Sequence, residues 1–180
     1  VELRQADALA LPFGDASFDA VVCQFGAMFF PDRVRGYREA YRVLRPGGRA
    51  VIAIWGSLAD NPMTRCVVDA MAVRFPSDPP QFLARTPHGH SDQKIIRAEL
   101  TEAGFDRLTI DVVTLRSRVP SPRDAAIGLC QGTPMRAEIE ARTPQGLAAA
   151  TDAAAKALAR EYGEGPIEAP MRALLIVARK

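Results

Sequence analysis

The stretch FDAVVCQFGAMFFPDRVRGYREAYRVLRPGGRAVIAIW, residues 18–55, decides the fold. It opens on the apolar run Phe18 to Cys23, of strand length and of the kind found where both faces of a parallel sheet are covered, which predicts a central strand. Pro31 and Asp32 then give a helix start with Asp32 as N-cap, and Val34, Tyr37, Tyr41 and Leu44 recur at three and four residues along one face. Arg42 and Arg45 place positive charge where the negative helix end falls. Pro46-Gly47 fits the two central positions of a type II turn, Pro fixing the first φ and Gly accepting the positive second one. Ala50 to Trp55 reads as another buried strand. Strand, helix, tight turn and strand make a βαβ crossover, which implies a parallel sheet with right-handed connections and an α/β class.

Working outward, Val1, Leu3 and the following Ala-Asp pair suggest a short strand ending near Asp7, with turn residues from Leu11 to Asp15 behind it. Beyond Trp55, a helix is expected from Pro62 to Val73, then a connection rich in Pro, His, Asp and Ser reaching over an active-site edge. Ser91 is positioned to cap a helix with Ile96, Leu100 and Ala103 on one face, and Gly104 sits where a left-handed C-terminal cap belongs. A strand from Phe105 to Val119 follows. Residues 121–162 are Ala-rich and helical, broken at Thr133-Pro134 and Thr143-Pro144 into two or three helices, and Met171 to Val177 reads as a final strand.

At 180 residues the chain fits a single compact unit with an insertion. A formal net charge of +2 with 48% hydrophobic residues describes an ordinary globular protein and gives no reason to expect nucleic acid as a partner. The arginines between Arg33 and Arg49 alternate with apolar positions at helical spacing, which favours a solvated helix face over a basic patch. Cys23, Cys66 and Cys130 are odd in number and far apart, so a disulfide framework and a Cys-x-x-Cys metal site are both absent, and a reducing, cytoplasmic setting is expected. No apolar run approaches the roughly 20 residues of a membrane helix, so no membrane partner is expected. The chain opens on Val1 and a strand-like segment, as a sequence does that begins in the middle of a domain.

Three segments in order carry a resemblance: QADALALPFGDASFDAVVCQFGAMFF at 5–30, YREAYRVLRPGGRAVIAIW at 37–55 and EAGFDRLTI at 102–110. Together they are similar to class I S-adenosylmethionine-dependent methyltransferases, in particular the type 11 small-molecule enzymes of the ubiquinone/menaquinone-biosynthesis kind. The resemblance implies a Rossmann-like seven-stranded sheet with helices on both faces, of which this chain would lack the first two strands, and a helical insertion at 121–162 acting as a lid. It implies S-adenosyl-L-methionine as cofactor, lying across the carboxyl ends of the strands, where open α/β sheets bind ligands in general.

Carried over by position, Asp7 and Ala8 would lie beside the adenine, Asp7 accepting from the exocyclic amine and Ala8 offering its backbone N–H. Asp7 as a plain turn cap is the competing reading. Gln24 and Phe25 would approach the methionine part of the cofactor; Gln24 as a strand-end residue satisfying local backbone stands beside that. Phe29 and Phe30 would wall the acceptor pocket, although aromatics before a helix are more often core, and Trp55 joins Phe29 and His88 as a substrate-pocket candidate. Asp19 and the Arg45-Pro46-Gly47-Gly48 turn are structural by the same resemblance, and the turn lacks the Lys-Ser/Thr of a phosphate loop. Methyl transfer from a sulfonium needs in-line approach and exclusion of water more than acid-base groups, so no catalytic residue is assigned. His88 and His90 suit a pocket rim or solvent, with exposure favoured; two histidines without a third ligand make a thin metal site, and none is expected.

The family's Gly-x-Gly loop, and the acidic residue that holds the ribose, have no counterpart among these residues. The strand at 18–23 would then become an edge with free backbone groups. Further N-terminal residues are therefore expected in the complete protein, and the 180 residues alone are expected to be inactive. The leading expectation is S-adenosylmethionine-dependent methyl transfer to a small-molecule acceptor by direct in-line displacement, with assembly as a homodimer left open. A non-catalytic fragment or interaction domain derived from the fold is the alternative, and a nicotinamide-dependent dehydrogenase stands lower, for want of a dinucleotide fingerprint or Tyr-x-x-x-Lys pair.

Overall fold

The computed structural model describes residues 2–180. In chain order the elements are β1 (Phe18–Gln24), α1 (Arg33–Val43), β2 (Leu44–Trp55), α2 (Pro62–Arg74), α3 (Phe82–Arg85), α4 (Gln93–Glu102), β3 (Arg107–Val119), α5 (Pro122–Cys130), α6 (Met135–Arg142), α7 (Leu147–Tyr162) and β4 (Ile167–Arg179). The strands form one mixed sheet of order β1-β2-β4-β3. β1 and β2 run parallel, with Val21 opposite Ala50 and Gln24 opposite Ala53, and β4 returns antiparallel to β2. This is the Rossmann-like arrangement with the expected βαβ crossover. Two compact units are distinguished: residues 1–55, 90–113 and 173–180 form one, and residues 56–89 and 114–172 the other.

In the first unit the parallel pair is built around α1. The Asp32 carboxylate accepts from the Arg35 N–H at 2.9 Å, satisfying one of the helix's open donors. The buried face of α1 presents Tyr37, Ala40 and Val43, and Tyr37 joins Leu44, Ile52, Ile54, Leu100, Phe105 and Ile176 in one core. The Pro-Gly-Gly turn is found inside β2 as an irregularity: Phe18 pairs with Leu44 but Ala20 with Arg49, so β2 bulges where Gly47 takes φ 82°. Gly48 is required there by space, since a Cβ would come within 2.9 Å of the Arg45 carbonyl oxygen and 3.1 Å of that of Asp19.

Several expectations are corrected. Residues 2–6 have no regular structure, and the segment ends in an isolated bridge between Asp7 and Ala10; Val1 lies outside the described residues. A strand needs a hydrogen-bonded neighbour, and none lies beside residues 2–6. β1, of the apolar kind found in central strands, lies at the edge of the sheet, as expected for a chain without the family's first two strands, with Val22 70% exposed. The helix after His90 is capped by Asp92, whose carboxylate accepts from the Lys94 N–H at 2.8 Å, one residue later than Ser91.

The second unit is helical. Val67 and Met71 of α2, Phe82 and Leu83 of α3, Ala126 and Cys130 of α5, Met135 and Ile139 of α6, and Ala150, Ala154 and Leu158 of α7 share one core. The 121–162 segment holds three helices, as its two Thr-Pro breaks predict, and they pack on α2 and α3 rather than on one another alone.

Candidate functional site

The site begins where β1 and β2 end. Phe25, the residue after β1, donates its N–H to the Ala53 carbonyl at 2.9 Å and takes φ 53°, a left-handed conformation that costs a non-glycine residue free energy. That turn lays the Phe25 ring on the indole of Trp55 at the end of β2, with centroids 4.2 Å apart and planes 19° from parallel. Offset aromatic pairs of this kind add about 0.5–1.5 kcal/mol beyond their buried area. Gln24 beside them is exposed. A short 3-10 turn, Ala27–Phe29, follows with Ala27 and Met28 buried.

The two aromatics after it part company. Phe29 is 53% exposed, whereas Phe30 lies against Tyr37 and against Gly36, where an added Cβ would come within 2.5 Å of the Phe30 ring. Phe30 is therefore core, and Phe29 is the one that remains a wall candidate.

Asp7 and Ala8 occupy a turn. The Asp7 Oδ1 accepts from the Leu9 N–H at 2.8 Å, as a turn cap does, and its other carboxylate oxygen stays exposed. The Ala8 N–H makes no hydrogen bond among the described residues. This turn is held by α1: Arg35 donates to the Leu9 carbonyl at 3.0 Å, and Glu39 accepts from the Leu11 N–H at 2.8 Å. Arg42 donates to the carbonyls of Leu11 (3.0 Å) and Phe13 (2.8 Å) and pairs with Glu39 and Asp15. The Arg42 guanidinium holds the Glu39 carboxyl below the usual carboxylate range against the opposing effect of burial. Arg35 and Arg42 of this helix thus tether the turn, while Arg35 and Arg38 stay exposed, as expected of a solvated face. Arg45 pairs with Asp19 at 2.8 Å at the surface.

Both histidines are buried, against the expectation of exposure. His88, in the helical unit, donates from Nδ1 to the Gly56 carbonyl at 2.8 Å, which fixes the tautomer, since a carbonyl only accepts. Burial pushes its pKa down. His90, in the sheet unit, places Nε2 3.2 Å from Glu99 Oε2 but out of line for a hydrogen bond. Glu99 is engaged by Arg33 Nε at 3.0 and 3.3 Å to its two oxygens. Burial and the Arg33 guanidinium push His90 down to about 4. Burial and Glu99 raise the pKa of Tyr37, whose buried hydroxyl has no hydrogen-bond partner among the described residues. Sequence reasoning missed this group; Arg33 and Glu99 are 66 residues apart and only the packing of α1 on α4 joins them. No cluster of three or more His, Cys, Asp or Glu suited to a metal ion occurs among the described residues.

Comparison with known proteins gives the same direction from sequence and from fold. Residues 1–52 match the family model of a methyltransferase domain. The chain is 33% identical over 124 residues to the ubiquinone/menaquinone biosynthesis C-methyltransferase UbiE of Pseudomonas entomophila (strain L48), covering 63% of this chain and 48% of that protein. It is likewise 33% identical over 130 residues to the enzyme of the same name from Escherichia coli O139:H28, covering 64% of this chain and 51% of that one. The chain thus spans about half the length of the curated relatives it matches. Among solved structures, a SAM-dependent methyltransferase from Thermotoga maritima superposes with a TM-score of 0.53 at 18% identity, over 100% of this chain and 64% of that one, a likeness of fold. The three ordered sequence segments, the βαβ crossover and these relatives agree in one likeness: the chain is similar to the class I S-adenosylmethionine-dependent methyltransferases.

Proposed function

We propose that this chain forms the adenine edge and acceptor side of an enzyme that transfers a methyl group from S-adenosylmethionine to a small-molecule acceptor by direct in-line displacement. The observation that carries the reading is the Phe25–Trp55 stack, a rigid aromatic platform built at the cost of a left-handed Phe25 at the carboxyl ends of two parallel strands. The bound sulfonium supplies an already activated methyl group, so the protein has to orient and to exclude water. The residues present fit part of the cofactor. The unengaged Asp7 oxygen is suited to accept from the adenine amine and the free Ala8 N–H to donate to a ring nitrogen. Gln24 offers an amide toward the methionine portion, and Phe25 with Trp55 keeps water from one side.

Phe29 and Trp55 are the acceptor-wall candidates of the sheet unit, and His88 is the candidate of the helical unit. Burial of His88 favours its neutral form, and with the proton on Nδ1 its Nε2 in this role accepts a hydrogen bond or a proton rather than presenting a fixed charge. The helices of 121–162 are proposed as the lid that selects the acceptor.

Trp55 is the single tryptophan of the chain, which makes the test direct. Titration with S-adenosylhomocysteine should change its emission saturably, and NAD should not. A chain that gives neither an emission change nor heat on calorimetric titration with S-adenosylhomocysteine would not support this placement of the cofactor, and a response to NAD alone would favour the dehydrogenase reading.

A further inference from the structure

The helical unit carries a groove of about 580 Å³ between α2 and α7, a volume within the range of small-molecule sites. Its floor is apolar or nearly so, with Ala70 and Cys66 from α2 and Ala153 and Ala157 from α7. Burial, then Glu161 and Asp69, push the Cys66 thiol up, so it lies there uncharged.

The cations of this unit divide sharply by location. Arg85, Arg116, Arg118, Arg123, Arg136, Arg142 and Arg172 each pair with a carboxylate. The four that line the groove, Arg65, Arg74, Lys156 and Arg160, make no ion pair among the described residues. Arg74 lies over the Phe75 ring, 5.8 Å from its centroid, and the side chains of the other three make no hydrogen bond or ion pair among the described residues. Lys156 and Arg160 stand one turn apart on α7, an arrangement of like charges that weakens a helix. Asp69 and Glu161 also line the groove but are outnumbered two to four.

We propose that this groove binds an amphipathic small-molecule anion, its apolar body on the alanine floor and its anionic head between Arg65 and Arg160. The site is independent of the methyl-transfer reading. An anionic head would supply the counter-charge that every other cation of the unit already has, and an apolar body would cover surface that water now meets.

Cys66 reports on occupancy. Alkylation of the chain by N-ethylmaleimide, followed by peptide mass spectrometry, should show decanoate slowing modification of Cys66 at least threefold, with Cys23 as an internal reference left unchanged. Acetate, which lacks the apolar body, and decyltrimethylammonium, which carries the opposite charge, should give no protection, all at concentrations below micelle formation. In an Arg65→Gln/Arg160→Gln double variant with an unaltered circular dichroism spectrum, decanoate should no longer protect. Equal protection by the decyl cation, no protection by decanoate, or undiminished protection in the folded double variant would each overturn the proposal. Should the double variant fail to fold, the comparison of the three probes on the unaltered chain decides alone.

Discussion

Phe25 holds a backbone angle that costs about 1–2 kcal/mol for a residue with a Cβ, and the ring it directs onto Trp55 is the return on that strain. Phe25→Ala keeps the unfavourable φ and loses the stack, so S-adenosylhomocysteine binding should weaken about 3- to 10-fold, as read by calorimetry, with a shift in Trp55 emission even before ligand is added. His90 makes a different prediction. Its imidazole protonates near 4 in the folded chain, held down by burial and Arg33, against an ordinary value of 6.5. Between these values the unfolded state binds the extra proton, so this stability is complete above 6.5 and declines as the pH falls toward 4. The loss is at most about 3 kcal/mol. Thermal melting from pH 7 to 4 should show this decline, and His90→Gln should flatten it. Of these residues the place of Phe25 directly after β1 was legible in the sequence, and that position lies at the carboxyl edge where open α/β sheets bind ligands in general. His90 was not, since a Pro- and Gly-flanked histidine looks exposed until the distant Arg33 and Glu99 are brought to it.

α1 was readable almost to the residue, because its cap, its apolar spacing and its arginine-rich end all point one way. Of its polar face only the side was legible: spacing says which side a guanidinium occupies, not what it reaches. Arg42→Met should release the Leu11–Asp15 turn, with amide exchange at Leu11 accelerating at least tenfold while the core amides of α1 hold. Gly36 is the other lesson of this element. Helix propensity says that alanine there gains about 1 kcal/mol, but a Cβ would strike the Phe30 ring at 2.5 Å. Gly36→Ala should therefore lower stability by about 1–3 kcal/mol in urea denaturation; an unchanged or raised midpoint would mean that Phe30 repacks freely. The segment 2–6 failed as a strand for a reason outside itself, since alternation within a segment does not tell whether a neighbour stands ready to pair.

At the scale of the whole chain, the class and strand sequence were legible and the division into two cores was not. The helices of 121–162 share a core with α2 and α3, to which sequence gives no continuous link. Removing 121–162 should abolish acceptor turnover in the complete protein while leaving part of the cofactor affinity, because the proposed cofactor residues Asp7, Ala8, Gln24, Phe25 and Trp55 belong to the other unit. Retained turnover would end the lid proposal. The edge position of β1 has a further consequence, in time rather than in space. A parallel strand bonded on one side presents its N–H groups alternately to its neighbour and to water. Along Phe18–Gln24, amide protons should exchange slowly and quickly by turns, a two-residue rhythm that the enclosed strand β2 should lack.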